Sequence, residues 1–418
     1  MKKVTFSVIG FGGRANVYLT ALQKHFKGEF ELVAIAEPDK RKQQKYQEMY
    51  QVSKENIFDT DLDFLEKDRL SDVAIVATQD DMHLQEVIRL LEKGYDIILE
   101  KPVASKYEDV IELLRVAKQY PNQHIVVCHV LRYTNFFKKI KEIIDSKRIG
   151  NVVTIQHNEN IGFYHFAHSY VRGQWRKSDE SSPLIVAKSC HDMDIMLYLL
   201  GNKRTKKISS FGSLSFFNHM NYDPKIMAPN CFDCSIEKQC PYSALKIYGT
   251  DKIKSIVFDK SSIDNFNKDL KHSQYSRCVF DSDNDVVDHQ ATIIEFDGGI
   301  TATFNLSAFT SKVNRTLKVM CEYGEIRARE KPYLIEIHDF RTDTVEEIDL
   351  KVSEGGHGGG DENFIIDFMK QYRGDKQFLS TLDVSIESHI MAFQAEYSRL
   401  QGGQVVNIEH ILKSLNDI

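Results

Sequence analysis

The chain has 418 residues, 27% of them charged and 42% hydrophobic, with a formal net charge of -6. This length is too great for one ordinary core and points to two domains. The acidic balance argues against nucleic acid as a partner, and no apolar run approaches the ~20 residues needed to span a bilayer.

Residues 4–9 are a short apolar run ending in glycines and Arg14, which reads as a buried first strand and not as a signal peptide. Residues 15–25 read as a helix, 31–36 as a second strand and 41–50 as a polar helix. A third strand (72–78), a helix stopped by Gly94 (83–93), a fourth strand (95–100), a helix (108–119) and a fifth strand (124–130) follow. Continuous apolar strands between helices indicate a parallel sheet covered on both faces. The rhythm then changes. After an amphipathic helix over 134–146, strands at 152–159, 291–296, 300–306, 316–321 and 325–329 are joined by tight turns such as Asp297-Gly298-Gly299 and Tyr323-Gly324. Late helices fall at 361–372 and 383–400, and the boundary between the two halves falls near residues 128–133. Seven cysteines in a chain without an export signal predict reduced thiols or metal ligands in the cytoplasm.

The turn Gly10-Phe11-Gly12-Gly13-Arg14-Ala15 lies between the first strand and the first helix. Gly10 permits the tight turn, Gly12 lets backbone approach a pyrophosphate, and Ala15 lets the helix pack close to the strand. Phosphates would meet free N–H groups at the positive end of the helix dipole. Glu37, at the end of the second strand, is placed to accept from an adenosine ribose and to repel a 2′-phosphate. This predicts an α/β Rossmann domain over 1–128 that binds NAD in preference to NADP. The remainder, 129–418, is expected to be an α+β domain with a large, mostly antiparallel open sheet. At the end of the fourth strand stands Glu100-Lys101-Pro102, and a lysine there can reach a nicotinamide or a substrate hydroxyl.

The turn, Glu37, Thr78 with His83, and Glu100-Lys101-Pro102, in this order, resemble the glucose–fructose oxidoreductase / inositol dehydrogenase (Gfo/Idh/MocA) family. The resemblance continues through Arg132-Tyr133, Ile149-Gly150, residues 191–194 and the closing helix 389–399. It implies NAD(P)-dependent oxidation or reduction of sugars, cyclitols and their derivatives by a homodimer or homotetramer. It also implies cofactor roles for Thr78, His83 and Glu100, a substrate role for Arg132, and an active-site role for Lys101. The stretch 187–194 resembles the family's catalytic segment, in which an Asp commonly precedes the His by four positions. His191 matches the His, but Ala187 stands at the Asp position. His191 is therefore expected to be the general acid/base, assisted by Lys101 and Lys188.

Residues 156–176 gather sugar-binding side chains: Glu159, His165, His168, Arg172, Arg176 and Trp175, the single tryptophan of the chain. This stretch resembles a subgroup of the family acting on glycosides or modified sugars. His357, in a run of glycines before Asp361, is expected to project into the same cleft. Cys231, Cys234 and Cys240 have C-x2-C-x5-C spacing, which predicts a structural zinc with His219, Cys190 or a water completing the set. Reduced thiols without metal, or an iron–sulfur cluster, also satisfy this spacing. Two other readings of function remain open at this level: a glycoside-processing enzyme that recycles its NAD, and a non-catalytic NAD-binding sugar sensor.

Overall fold

A computed structural model describes residues 2–201, 203–250, 253, 262–351 and 356–416. The first six strands are β1 (Val4–Ile9), β2 (Phe30–Ala36), β3 (Ile57–Phe58), β4 (Val73–Val76), β5 (Asp96–Leu99) and β6 (Ile125–Val127). They form one sheet in the order β3-β2-β1-β4-β5-β6, with every neighbouring pair parallel. β4 and β5 are buried along their whole length, because helices cover both faces. Only β3 was not foreseen. It is two residues long, too short to show a pattern. The strand order reverses between β1 and β4, which opens a crevice at their carboxyl ends.

The second sheet contains β7 (Val152–Asn160), β8 (Thr205–Ser213), β9 (His289–Phe296), β10 (Thr301–Ser307), β11 (Asn314–Cys321), β12 (Gly324–Arg329), β13 (Leu334–Asp339), β14 (Thr344–Asp349) and β15 (Val406–Asn407). Its order is β14-β13-β12-β11-β7-β10-β9-β8-β15, and only β7 and β10 pair in parallel. Burial alternates along β10 and β11, as it must where one face packs and the other does not. The helices Leu184–Leu200 and Leu382–Leu400 pack on one another and on this sheet. Among the described residues no helix is long and apolar enough to cross a membrane.

The two halves share a core. Phe364, Ile365, Phe368 and Met369 of the helix Gly360–Arg373 pack in one cluster with Phe6, Val8, Tyr18 and Leu22 of the first sheet's layer. A late segment thus finishes the first core, close to the Gly10 turn. Phe364 is fully buried, so Phe364→Ala removes packing and leaves a cavity. Urea denaturation should show a loss of about 3–5 kcal/mol. A loss below about 1 kcal/mol would show that the first layer does not depend on this helix.

Candidate active site

The turn after β1 is fixed by sterics. Gly10 has φ 81°, and a Cβ there would stand 2.6 Å from the Ala77 carbonyl oxygen. At Gly12 and Gly13 a Cβ would meet nothing within 4 Å, so the turn faces open space. The helix Gly13–His25 has no side-chain cap and no acidic residue in its first turn, which leaves its N-terminal amides to a phosphate. Ala15 is fully buried beneath them. This cradle fits a dinucleotide. The Phe11 ring is turned away and stacks on Tyr46 with 3.7 Å between centroids. Glu37 accepts from the Phe11 N–H (2.9 Å), the Asp39 N–H (3.0 Å) and Lys42 Nζ (3.3 Å). A carboxylate has about four lone-pair sites, so one is left for a ribose hydroxyl.

Four of the expected cofactor residues have other work. Arg14 turns inward, with Nε 2.7 Å from Glu100 and Nη2 2.7 Å from Asp361. Burial opposes the Glu100 charge, yet Arg14 and the Tyr18 hydroxyl hold its carboxyl below the usual range. Arg14 and Glu100 are therefore a tie between the nucleotide turn, β5 and the late helix. Thr78 Oγ1 donates to Glu86 at 2.6 Å. His83, fully buried, lies 2.9 Å by Nδ1 from the Pro102 carbonyl and props the turn that follows β5.

That turn presents Lys101. Its Nζ donates to the Ala187 carbonyl at 2.9 Å, so the helix Leu184–Leu200 aims it. His191, on the next turn of that helix, is 3% exposed. Its Nδ1 lies 3.4 Å from His129 Nδ1. Burial drives its pKa well below the usual histidine value, and Lys101, His129, His357 and Arg315 push the same way. Lys101, His165, Lys188, His191, Arg315, Glu330, Lys331, Tyr333 and His357 line one cavity of about 280 Å³. His357 enters from a left-handed backbone position (φ 48°) and bonds Asp361 through Nδ1 at 3.1 Å. His165 Nδ1 is buried without a hydrogen-bond partner.

A buried charge network forms the cavity's floor. Glu159 of β7 lies 3.2 Å from Lys188 Nζ and 2.8 Å from Arg315 Nη2. Arg315 of β11 also pairs with Asp192 (2.7 Å), which His157 contacts at 2.7 Å. Burial lowers the Lys188 pKa and Glu159 opposes it. Arg315, Asp192 and Glu330 were not singled out from the sequence. Arg315 sits in an alternating strand where an inward arginine is indistinguishable from an outward one until the register is known.

Other expected residues are elsewhere. Arg132 is a buried partner of Asp194, with two contacts of 2.7 and 2.6 Å, and it donates its remaining nitrogen to the Leu379 carbonyl. It is structural and does not face the cavity. His168 bonds Tyr248 (2.9 Å) and stacks on Tyr275. Arg172 is fully buried against the carbonyls of Arg277 and Tyr242. Arg176 pairs at the surface with Asp283. Trp175 packs near Tyr170 and hydrogen-bonds Asp80, whose carboxyl burial raises to about 6. All seven cysteines are free thiols, and among the described residues no three His, Cys, Asp or Glu side chains group to hold a metal ion. The zinc expectation at Cys231, Cys234 and Cys240 is therefore not supported. Cys231 Sγ packs against the Arg277 carbonyl (3.8 Å), Cys234 Sγ lies 4.0 Å from the Ile226 carbonyl, and His219 pairs with Asp281 instead.

The chain has relatives among known proteins. YteT of Bacillus subtilis is 26% identical over 385 residues, covering 86% of this chain and 87% of YteT. The 2,7-anhydro-N-acetylneuraminate hydratase of Escherichia coli is 26% identical over 140 residues, 34% of this chain and 36% of its own. An inositol dehydrogenase homolog from Azotobacter vinelandii, solved with NAD+, superposes with a TM-score of 0.70 at 14% identity, covering 97% of both chains. That likeness is one of fold. Residues 4–128 match the oxidoreductase family's NAD-binding Rossmann fold, and residues 141–406 match its C-terminal alpha/beta domain. The chain belongs to the Gfo/Idh/MocA family of NAD-binding oxidoreductases.

Proposed function

We propose that the enzyme transfers a hydride between NAD and a secondary hydroxyl of a sugar, cyclitol or glycoside that carries a carboxylate. The observation that carries this reading is the cavity in which Lys101 and His191 meet, beyond the carboxyl end of β5. When bound, the nicotinamide supplies the hydride acceptor. Oxidation of the alcohol releases a hydride from carbon and a proton from oxygen. His191 is the proton acceptor, since its surroundings keep it neutral. Lys101, steadied by the Ala187 carbonyl, donates to the substrate oxygen and stabilises its developing negative charge.

The carboxylate follows from charge. Lys188 and Arg315 are neutralised by Glu159 and Asp192 behind the wall. Among the described residues, neither Lys101 nor Lys331 has a carboxylate within ion-pair distance. Lys101 serves the reacting oxygen, which leaves Lys331 to an anionic substituent. The hydratase among the relatives acts on an anhydro-neuraminate, a carboxylate sugar, and carries out no net oxidation. It favours a second reading, in which the hydride is returned and NAD recycles. NADH absorbance with a panel of uronates and sialic-acid derivatives separates the two: stoichiometric NADH supports net oxidation, and product formation with catalytic NAD supports recycling.

His191→Ala should lower turnover by about 10²–10⁴-fold while NADH binding, followed by fluorescence, is retained. Unchanged turnover on the true substrate rejects His191 as the base. The sign of its shift fixes the pH profile. A base is lost as pH falls through its pKa, so the acid limb of kcat/KM for oxidation should lie well below the ~6.5 of an ordinary histidine. A limb at 6.5 or above would mean that the base is not this buried ring. Lys331→Met should raise KM for a carboxylated substrate by about 10–100-fold, the worth of one charge-assisted hydrogen bond. It should leave a neutral analogue unaffected; equal effects on both would remove the carboxylate from the proposal.

A further inference from the structure

We propose that Arg14 is a positioning residue of the substrate cavity, holding Lys101 through Glu100 and His357 through Asp361, and that its side chain does not bind the cofactor. The proposal rests on the reading of Lys101 and His191 as the acid–base pair. An arginine beside a phosphate cradle is suited to a phosphate. The guanidinium of Arg14 is committed elsewhere. Its Nε donates to Glu100 Oε1 at 2.7 Å, its Nη2 to Asp361 Oδ1 at 2.7 Å and its Nη1 to Asp361 Oδ2 at 3.2 Å. Nη2 also donates to the Tyr18 hydroxyl, so four of the five N–H groups of the guanidinium are used.

Each carboxylate passes the constraint on. Glu100 turns its other oxygen, Oε2, to the Lys101 N–H at 3.0 Å, at the base of the side chain that reaches the cavity. Asp361 accepts from His357 Nδ1 at 3.1 Å, and Arg14 Nη1 stands 3.4 Å from the same ring nitrogen. Both arms end at His191, whose ring lies 5.9 Å from that of His357, centroid to centroid. Burial drives the His191 pKa down, and Lys101, His129, His357 and Arg315 lower it further. Two of those neighbours are the ends of the Arg14 arms. Asp192 and Asp194, on the helix of His191 itself, are paired with Arg315 and Arg132.

An independent observation is the backbone at His357. Its φ of 48° is uncommon for a residue with a side chain. The glycines after it allow close approach: a Cβ at Gly358 would stand 2.6 Å from the Tyr333 hydroxyl, and one at Gly360 2.4 Å from the Val130 carbonyl oxygen. A sparsely populated conformation persists where the surroundings over-determine it, and it clusters at ligand sites. The glycine run thus fixes the main chain of His357, while Asp361 and Arg14 fix its ring. Burial opposes the charge of Asp361, yet His357 and Arg14 hold its carboxyl well below the usual range. A planar fork can serve two carboxylates at once; a lysine keeps the charge without that geometry. Arg14 is also the second residue of the helix Gly13–His25, whose first amides face the phosphate cradle. The nucleotide turn and two groups of the cavity therefore share one anchor.

The test is Arg14→Lys in the full chain. NADH affinity, followed by fluorescence, should be unchanged. On the uronate that the wild type turns over fastest, kcat should fall by about 10–100-fold, the effect of misplacing reacting groups by about 1 Å. The acid limb of kcat/KM should move up toward the ~6.5 of an ordinary histidine, because Lys101 and His357 lose their anchor while His129 and Arg315 keep theirs. A weaker NADH affinity makes Arg14 a cofactor contact and overturns the proposal. An unchanged kcat overturns it, and so does a fall in kcat with the limb unmoved, which is general loosening of the fold. If Arg14→Lys does not fold, Asp361→Asn, which keeps the shape and cuts the His357 arm, takes its place. The limb should again move up, and an unmoved limb overturns the proposal. Failure of the oxidoreductase reading shows separately, as a wild type that turns over no member of the panel, and it removes the proposal with it.

Discussion

The substrate cavity depends on one buried cation, Arg315. It lies on β11 in the middle of the second sheet and meets Glu159, Asp192 and Glu330 within 4 Å. Three carboxylates this deep in the interior would otherwise be forced to protonate or the site to open. Burial works against ionisation of Asp192, yet Arg315 and His157 hold its carboxyl well below the usual range. Glu330 is less favoured. Burial raises its pKa, and the neighbouring Glu159 and Asp192 raise it further against the pull of Arg315. The arginine therefore joins β7, β11 and the helix Leu184–Leu200 at a single point, and that helix positions both Lys188 and His191. The placement of these two side chains is inherited from a charge pairing beneath them.

The same crowding of positive charge explains how a histidine and a lysine divide their labour. Lys101, Arg315 and His357 all face His191, and none of them favours a proton on it. A ring held neutral is ready to accept a proton, and an ammonium held by a backbone carbonyl is ready to donate one. This is the arrangement that acid–base chemistry on an alcohol requires.

Much of this architecture was legible in the sequence. The parallel sheet followed from apolar runs between helices, and the Gly10 turn from its spacing; the structure adds the steric reason, a carbonyl where a Cβ would stand. The sequence was less informative where patterning is weak or contacts are distant. β14 is rich in acidic residues and exposed along nearly its whole length, with little apolar alternation to announce it. Arg14, Arg132 and Arg172 were read as ligand contacts because arginine beside a motif suits that role. Each instead finds its partner far along the chain, at Asp361, Asp194 and Arg277. A buried arginine and a binding arginine are the same letter, and only the fold decides between them. His357 lines the cavity, and Asp361, four residues on, orients it.

Ala187 is the position where the chain departs from its family's pattern, and the structure shows what fills the gap. The backbone carbonyl of Ala187 accepts from Lys101, so the position still serves the lysine. The histidine's missing partner is supplied from outside the helix. His129, just past β6, places Nδ1 3.4 Å from His191 Nδ1, and its Nε2 lies 3.7 Å from Asp194, which Arg132 fixes. A contact between two Nδ1 atoms requires one ring to donate and the other to accept. When His191 is the donor, its Nε2 carries the lone pair and can act as the base. A neutral imidazole is a weaker partner than a carboxylate, because it orients the ring without stabilising the imidazolium that forms. The chain thus keeps the tautomer control of the usual dyad and gives up part of its electrostatic support. Lys188, the next residue in the chain, is itself paired with Glu159.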